Sequence, residues 1–190
     1  MNYLTPNELL TVLAQAKKHG AREHCMFLLA YKHGLRASEI SLLTLADVQG
    51  HEIDIRRLKD SLHTVQPLKT HANPLLDEVA VLKAWLRERG DADGSQILFT
   101  GRNGSGICRQ QIYNLFYDVA MRAGIDKSRR FVHILKHSLG SHLVRNGVGL
   151  AHVQQALGHK HISSTVAYTH ISQAEAAVKV ADVMSSVFAG

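Results

Sequence analysis

Between His51 and Leu68 the apolar period drops to two: Ile53 and Ile55 alternate with polar neighbours, and Lys59-Asp60-Ser61 interrupts two extended runs. That pattern is a hairpin with Lys59 near its turn. Almost everywhere else the apolar residues recur at the three- and four-residue spacing of a helix face. The predicted class is therefore mainly α with one small antiparallel β-sheet, an α+β fold.

The helices have readable boundaries. Thr5-Pro6-Asn7-Glu8 is a helix start, with an N-cap hydroxyl, proline in the first turn and a glutamate three residues after the cap. Leu9, Val12, Leu13 and Ala16 share one face, and Gly20 ends the helix. Cys25 to Tyr31 is apolar on every side, as a centrally buried helix is. A turn at His33-Gly34 leads into a short helix, Ala37 to Leu43, with Glu39 in its first turn. Pro74 is read as the start of a helix carrying Leu76, Val79, Leu82 and Trp85, and Ile97-Leu98-Phe99 as a short third strand. Ile112, Leu115, Phe116 and Val119 form a further stripe, Ile134 to Val144 another helix, and Val153 to Leu157 one that stops at Gly158. A last amphipathic helix, about Gln173 to Phe188, puts Ala177, Val180, Ala181, Met184 and Phe188 on one side.

At 190 residues the chain fits a single domain with one core. Its start lacks the basic and apolar segments of a signal peptide, and no apolar run is long enough to cross a bilayer, so the expectation is a cytoplasmic protein without a membrane partner. Cys25 and Cys108 fit no metal or redox spacing and are expected to be reduced, mostly buried thiols. A formal net charge of +6 favours a polyanionic partner, because cations that neutralise phosphates release condensed counterions.

Four stretches hold the chemically informative residues: GLRASEI at Gly34 to Ile40, RLKDS at Arg57 to Ser61, HILKHSLGSHLVRNG at His133 to Gly147, and LGHKHISSTVAYTHI at Leu157 to Ile171. Together, and in this order, they resemble the tyrosine recombinase, or phage integrase, family, and the resemblance covers nearly the whole chain. It implies the catalytic-domain fold of that family over residues 1–190. It also implies that the N-terminal DNA-binding clamp domain carried by many members is absent, since the first motif is reached by Arg36. Carried over position by position, the resemblance makes Arg36, Lys59, His133, Lys136, His159 and Tyr168 the catalytic residues, with Glu39 a supporting partner. Lys136 is the departure: the family pattern H-x-x-R has arginine there. His137, Ser138 and His142 continue the usual run, so a shifted alignment does not account for the lysine.

The chemistry explains why such residues must converge. A phosphodiester anion repels nucleophiles, and attack spreads further charge over its nonbridging oxygens, so preorganised cations must sit there. Arg36 suits this, because a guanidinium holds two oxygens at once and stays charged at any working pH. Lys136 and a donor nitrogen of His159 complete the cradle. Tyr168, with an ordinary phenol pKa near 10, needs a base or a positive field, and His133 is the expected base or orienter. Lys59 on the hairpin is placed to protonate the departing 5′-oxygen. The implied product is a 3′-phosphotyrosine that conserves bond energy, so that rejoining needs neither nucleotide triphosphate nor metal, and no cofactor is expected. Double-stranded DNA is the implied partner, with self-assembly into a tetramer on paired sites.

Two other readings stand beside this one. His133 and His137 have the i, i+4 spacing of a helical zinc pair, but the run His133-Ile134-Leu135-Lys136-His137 includes a lysine that repels a cation, and the glutamate of H-E-x-x-H is missing. The stronger alternative is a recombinase-fold module that grips DNA, or regulates a partner recombinase, with catalysis impaired at Lys136.

Overall fold

The first helix, α1 (Pro6–His19), begins where the sequence marks it: Thr5 Oγ1 accepts the Glu8 amide and the Glu8 carboxylate accepts the Thr5 amide. Arg129 then grips the same carboxylate, at 2.7 and 3.0 Å, tying this cap to the segment before the helix that carries His133. The computed structural model describes residues 3–58, 61–90, 96–101, 104–168 and 183–185.

The second helix, α2 (Ala21–Lys32), is the centre of the molecule. Cys25, Met26, Phe27, Leu28, Leu29 and Ala30 are all buried, because α1, α4 (Glu78–Arg89) and α6 (His133–Arg145) pack around it. That arrangement is the physical meaning of a helix apolar on every side. Phe27 meets Phe116 of α5 (Arg109–Arg122) edge to face at 5.2 Å, and Trp85 of α4 stacks on Phe99 while its indole N–H donates to Leu98 O. The short helix α3 (Ala37–Leu42) follows α2 after a turn.

The hairpin forms as the period of two requires. Strands β1 (Glu52–Ile55) and β2 (Thr64–Pro67) pair antiparallel, with Ile53 opposite Gln66 and Ile55 opposite Thr64. Ile53 and Ile55 point into the core. Lys59 and its neighbour Asp60 lie outside the described residues.

Three sequence-based expectations change. Ile97 to Phe99 is no third strand of the hairpin sheet: it makes one isolated bridge, Ile97 to Thr44, in the loop after α3. The ladder stops there because Asp47 captures the Thr44 amide and hydroxyl and turns the chain into a 3₁₀ turn at Ala46–Val48. The helix read as starting at Pro74 starts at Glu78, because Asn73 Oδ1 accepts the Leu75 amide in a turn and Asp77 is the true N-cap, accepting from Ala80. Cys25 is buried as expected, but Cys108 is exposed, since it occupies the solvent-facing N-cap of α5.

After α6 come α7 (Leu150–Leu157) and the single turn α8 (Ser163–Val166). Leu139, Val153 and Leu157 form a small apolar cluster separate from the main core, bordered by Tyr31, Leu143, Val144, Val148 and Tyr168. The amphipathic run expected from Gln173 to Phe188 lies outside the described residues except for 183–185, which are helical. Among the described residues no helix is long and apolar enough to cross a membrane.

Candidate active site

Arg36 stands at the entrance of α3, where Glu39 accepts both its backbone N–H, at 2.8 Å, and its Nη1, also at 2.8 Å. Ser61 Oγ, beside the hairpin loop, accepts the same Nη1 at 3.1 Å. The Arg36 side chain is 24% exposed while that of Glu39 is 1% exposed, so the carboxylate is a buried mount and the guanidinium faces outward from it. Burial pushes the Glu39 carboxyl up, but the Arg36 amide and the charges of Arg57 and Lys136 more than offset this and hold it below the ordinary value. Glu39 is thus ionised at neutral pH.

Arg57 is the residue that sequence reasoning missed most clearly. Its side chain is 0% exposed. Nη1 donates to Gly34 O at 2.9 Å, Nη2 to His33 O at 2.8 Å and to Ala156 O at 3.1 Å, and Nη1 lies 3.4 Å from Glu39. One planar side chain therefore joins the turn before Arg36, the mount Glu39 and the end of α7. Nothing in R-R-L-K distinguishes this inward-facing arginine from Arg56 except the alternation of the preceding strand.

The end of α7 is a convergence point. Helix C-termini leave carbonyls unpaired and carry partial negative charge. Here Ala156 O accepts from Arg57 and from Gln66 Nε2 at 3.0 Å, and Leu157 O accepts from Lys136 Nζ at 2.7 Å. Gly158 closes the helix at φ +65°, with the His159 amide bonded to Gln154 O and the Gly158 amide to Gln155 O. A Cβ on Gly158 would lie 2.7 Å from Arg57 Nε, so the position needs glycine for space as well as for backbone angle.

This turn delivers His159, which is buried, with Nδ1 held 3.0 Å from the hydroxyl of the fully buried Thr165 in α8. When that hydroxyl donates, the ring proton sits on Nε2, which makes Nε2 the donor. Burial first, then the charges of Lys136, Arg36 and Arg57, hold His159 down at about 4. The same forces, burial and then His137, Lys136 and Arg36, hold His133 down at about 4. Both rings are neutral in the free protein.

Tyr168 follows α8 and lies back on α6. Its hydroxyl is 3.3 Å from His137 Nδ1, and its ring is parallel to that of His159, with centroids 6.3 Å apart. A Cβ at Gly140 would come within 2.9 Å of three atoms of the Tyr168 ring, so a glycine in mid-helix makes the seat for the phenol. Burial raises the phenol above its ordinary value, and Arg36 pulls it partly back.

Lys136 is 2% exposed, far more enclosed than Arg36, and packs below the site with its ammonium on Leu157 O. Burial, then Arg57 and Arg36, lower it to about 7. Ser138 and His142 of the same helix do other work: Ser138 Oγ accepts the Leu4 amide, and His142 joins Leu4 O to the Tyr31 hydroxyl, fastening the N-terminal segment.

The fold therefore gathers Arg36, Glu39, His133, Lys136, His159 and Tyr168 around one place, where the charge of Arg36 is felt by His133, Lys136, His159 and Tyr168 alike. Lys59 lies outside the described residues. Sequence reasoning missed Arg57, Gln66, His137, Gly140 and Thr165. For Gly140 the available signal was a glycine inside the α6 stripe, since helix interiors disfavour it without a packing reason. Among the described residues no cluster of three or more histidine, cysteine or carboxylate side chains is placed to hold a metal.

The sequence profile of the phage integrase family matches residues 2–175. The chain belongs to that family. The type 1 fimbriae regulatory protein FimE of Escherichia coli K12 is 37% identical over 146 residues, covering 73% of this chain and 70% of FimE. Tyrosine recombinase XerC of Chromobacterium violaceum is 33% identical over 122 residues, covering 64% of this chain but only 38% of XerC. Among solved structures, the XerA recombinase superposes with a TM-score of 0.78 at 23% identity, covering 95% of this chain and 64% of XerA, which supports the recombinase catalytic-domain fold. This chain is a tyrosine recombinase, a member of a family of enzymes that break and rejoin DNA strands.

Proposed function

We propose that Tyr168 attacks a DNA phosphodiester to give a 3′-phosphotyrosine, in a site-specific strand exchange that uses neither metal nor nucleotide triphosphate. The observation that carries this reading is the placement of Tyr168 on Gly140, parallel to His159 and within the field of Arg36. Arg36, fixed by Glu39, receives two phosphate oxygens; His159 donates from Nε2; Lys136 adds charge from below. His133, neutral, supports the attacking group through His137, the ring it packs against. Lys59 protonates the 5′-oxygen as it leaves. The partner is double-stranded DNA: the XerH recombinase, with TM-score 0.75 to this chain, was solved bound to its difH substrate. Subunits assemble as a tetramer on paired sites, and residues 1–190 serve as the catalytic domain.

Lys136 gives the second reading its footing. An ammonium committed to Leu157 O contributes less to a phosphate than an arginine would, and a regulatory module that binds without turnover is the alternative. One experiment separates them. A pool of nicked duplexes of random sequence is incubated with the protein in EDTA without ATP, and adducts are resolved on a denaturing gel with either DNA end labelled. The expected result is a covalent complex retaining the strand with the 3′-phosphate, absent in Tyr168→Phe; binding without any adduct would support the regulatory module instead.

A further inference from the structure

The residue that takes the Tyr168 proton is a separate question from which residues surround the phosphate, and its answer rests on the reading of Tyr168 as nucleophile. The phenol is half-buried and shifted away from phenolate, so the positive field alone does not ionise it at neutral pH. A proton acceptor within hydrogen-bond reach is required. His133, the family-motif histidine, is not the ring that Tyr168 touches. The Tyr168 hydroxyl is 3.3 Å from Nδ1 of His137, one turn further along α6, and His133 stands edge-on behind His137 with centroids 5.5 Å apart.

We propose that His137 is the general base for Tyr168, accepting the phenol proton at Nδ1 as the tyrosine oxygen bonds to phosphorus. Three features support it. Gly140, one turn beyond His137 on α6, lets the phenol ring lie against the helix backbone, so hydroxyl and imidazole are aligned by packing. Phe131 packs edge-on against His137, with ring centroids 6.5 Å apart, and restrains the imidazole. The charged and titratable groups around His137 are His133 and Lys136 on its own helix, His159 from the turn after α7, and Tyr168. Burial, reinforced by Lys136, keeps His137 below its ordinary value, so it is the neutral, accepting form at neutral pH.

The step balances. The Tyr168 oxygen–phosphorus bond forms as the phosphorus–5′-oxygen bond breaks. The phenol proton moves to His137, which becomes imidazolium, and the 5′-oxygen takes its proton from the general acid, assigned above to Lys59. On rejoining, a 5′-hydroxyl attacks phosphorus, its proton returns to that acid, and His137 gives its proton back to Tyr168.

Two measurements on the full chain test this. The first needs no DNA: nitrogen-15 NMR of the histidine rings should show His137 as the Nε2–H tautomer, with its Nδ1 signal moved in Tyr168→Phe. A proton on Nδ1 would make His137 a donor to the phenol and overturn the proposal. The second uses a nicked duplex recovered from the adduct pool, remade with sulfur in place of the bridging 5′-oxygen, so that the leaving group needs no acid. His137→Asn, which keeps an acceptor but cannot take a proton, should slow cleavage by roughly 10²- to 10⁴-fold and lose the rise of rate with pH on the acid side. His137→Ala should regain rate with added imidazole, and both variants should bind the duplex as the parent does. A slow variant with the parent's pH profile and no imidazole rescue would mean that His137 is merely structural. Failure of the parent to form any adduct would count against Tyr168 chemistry itself, while the NMR result would still decide the tautomer.

Discussion

The main core and the segment from α7 to Tyr168 are held by different forces. Around α2, Phe27, Leu28, Leu29, Phe116, Val119 and Ile134 exclude water from every side, and the stabilisation scales with apolar area removed from solvent. The α7–Tyr168 segment has a far smaller apolar anchor, Leu139, Val153 and Leu157, and is fastened chiefly by polar donors: Arg57, Gln66 and Lys136 on its helix-end carbonyls, Thr165 on His159, and His137 on Tyr168. The difference teaches where this protein keeps its adjustable part. Apolar burial is non-directional and spread over many contacts, whereas a set of hydrogen bonds can be exchanged one by one when a phosphate arrives.

The largest break in that comparison should come from the core side. Phe116→Ala removes a fully buried ring that contacts Phe27, and should cost about 3–5 kcal/mol, lowering the urea midpoint for every probe together. Separate transitions for core and segment in the parent would show that the chain does not unfold as one unit. Next in size is Arg57→Met. It strands the carbonyls of His33 and Gly34, leaves Ala156 O to Gln66 alone and removes a buried partner of Glu39, a loss of about 3 kcal/mol. Its signature should be local: amide exchange rising first across residues 150–168 while α2 stays protected. Uniform acceleration of exchange would contradict the division drawn here.

Lys136→Arg should sharpen the comparison on the chemical side. A lysine has one nitrogen, already on Leu157 O, whereas a guanidinium can keep that carbonyl and still reach a phosphate. The recovered transition-state bond is worth about 1.5–3 kcal/mol, or roughly 10- to 150-fold in single-turnover cleavage. The pH dependence carries a sign. Lys136, lowered to about 7 chiefly by burial, is charged below that pH and neutral above it, so the parent's kcat/KM should fall as pH rises through 7. The arginine variant should not show that fall. An unchanged or slower rate would show that the pocket has adapted to lysine.

The smallest expected effect has opposite signs for stability and activity. Gly140→Ala supplies a better helix former, worth up to about 1 kcal/mol, but its methyl group occupies the place of the Tyr168 ring. Thermal stability should stay level or rise slightly while adduct formation drops. A variant as active as the parent would remove Gly140 as the seat of the nucleophile.

The split between legible and hidden follows the same physics. Periodicity exposed α1, α2, α5 and the hairpin, because burial leaves its spacing in the sequence. It misplaced the start of α4, where Asn73 and Asp77 compete as turn and cap, and overstated Ile97 to Phe99, where Asp47 stops the ladder after one bridge. At the site, the motif residues could be named from their resemblance to the family pattern, whereas Arg57, Gln66 and Thr165 could not. Their roles depend on which carbonyl or ring nitrogen lies opposite across contacts of up to 99 residues in sequence. His137 was visible as part of the run that continues the H-x-x-R motif and as the i+4 neighbour of His133, a zinc spacing that Lys136 argues against, and neither gave it a role toward Tyr168. Its contact with Tyr168 exists only once Gly140 has let the ring approach.

Peptide-resolved mass spectrometry of the trapped DNA complex tests the central claim most directly. After nuclease trimming, the peptide containing Tyr168 should carry a nucleotide linked through its 3′-phosphate to the phenol oxygen, and the Tyr168→Phe protein should carry none. A nucleotide found on any other residue, or one that persists in the phenylalanine variant, would contradict the account.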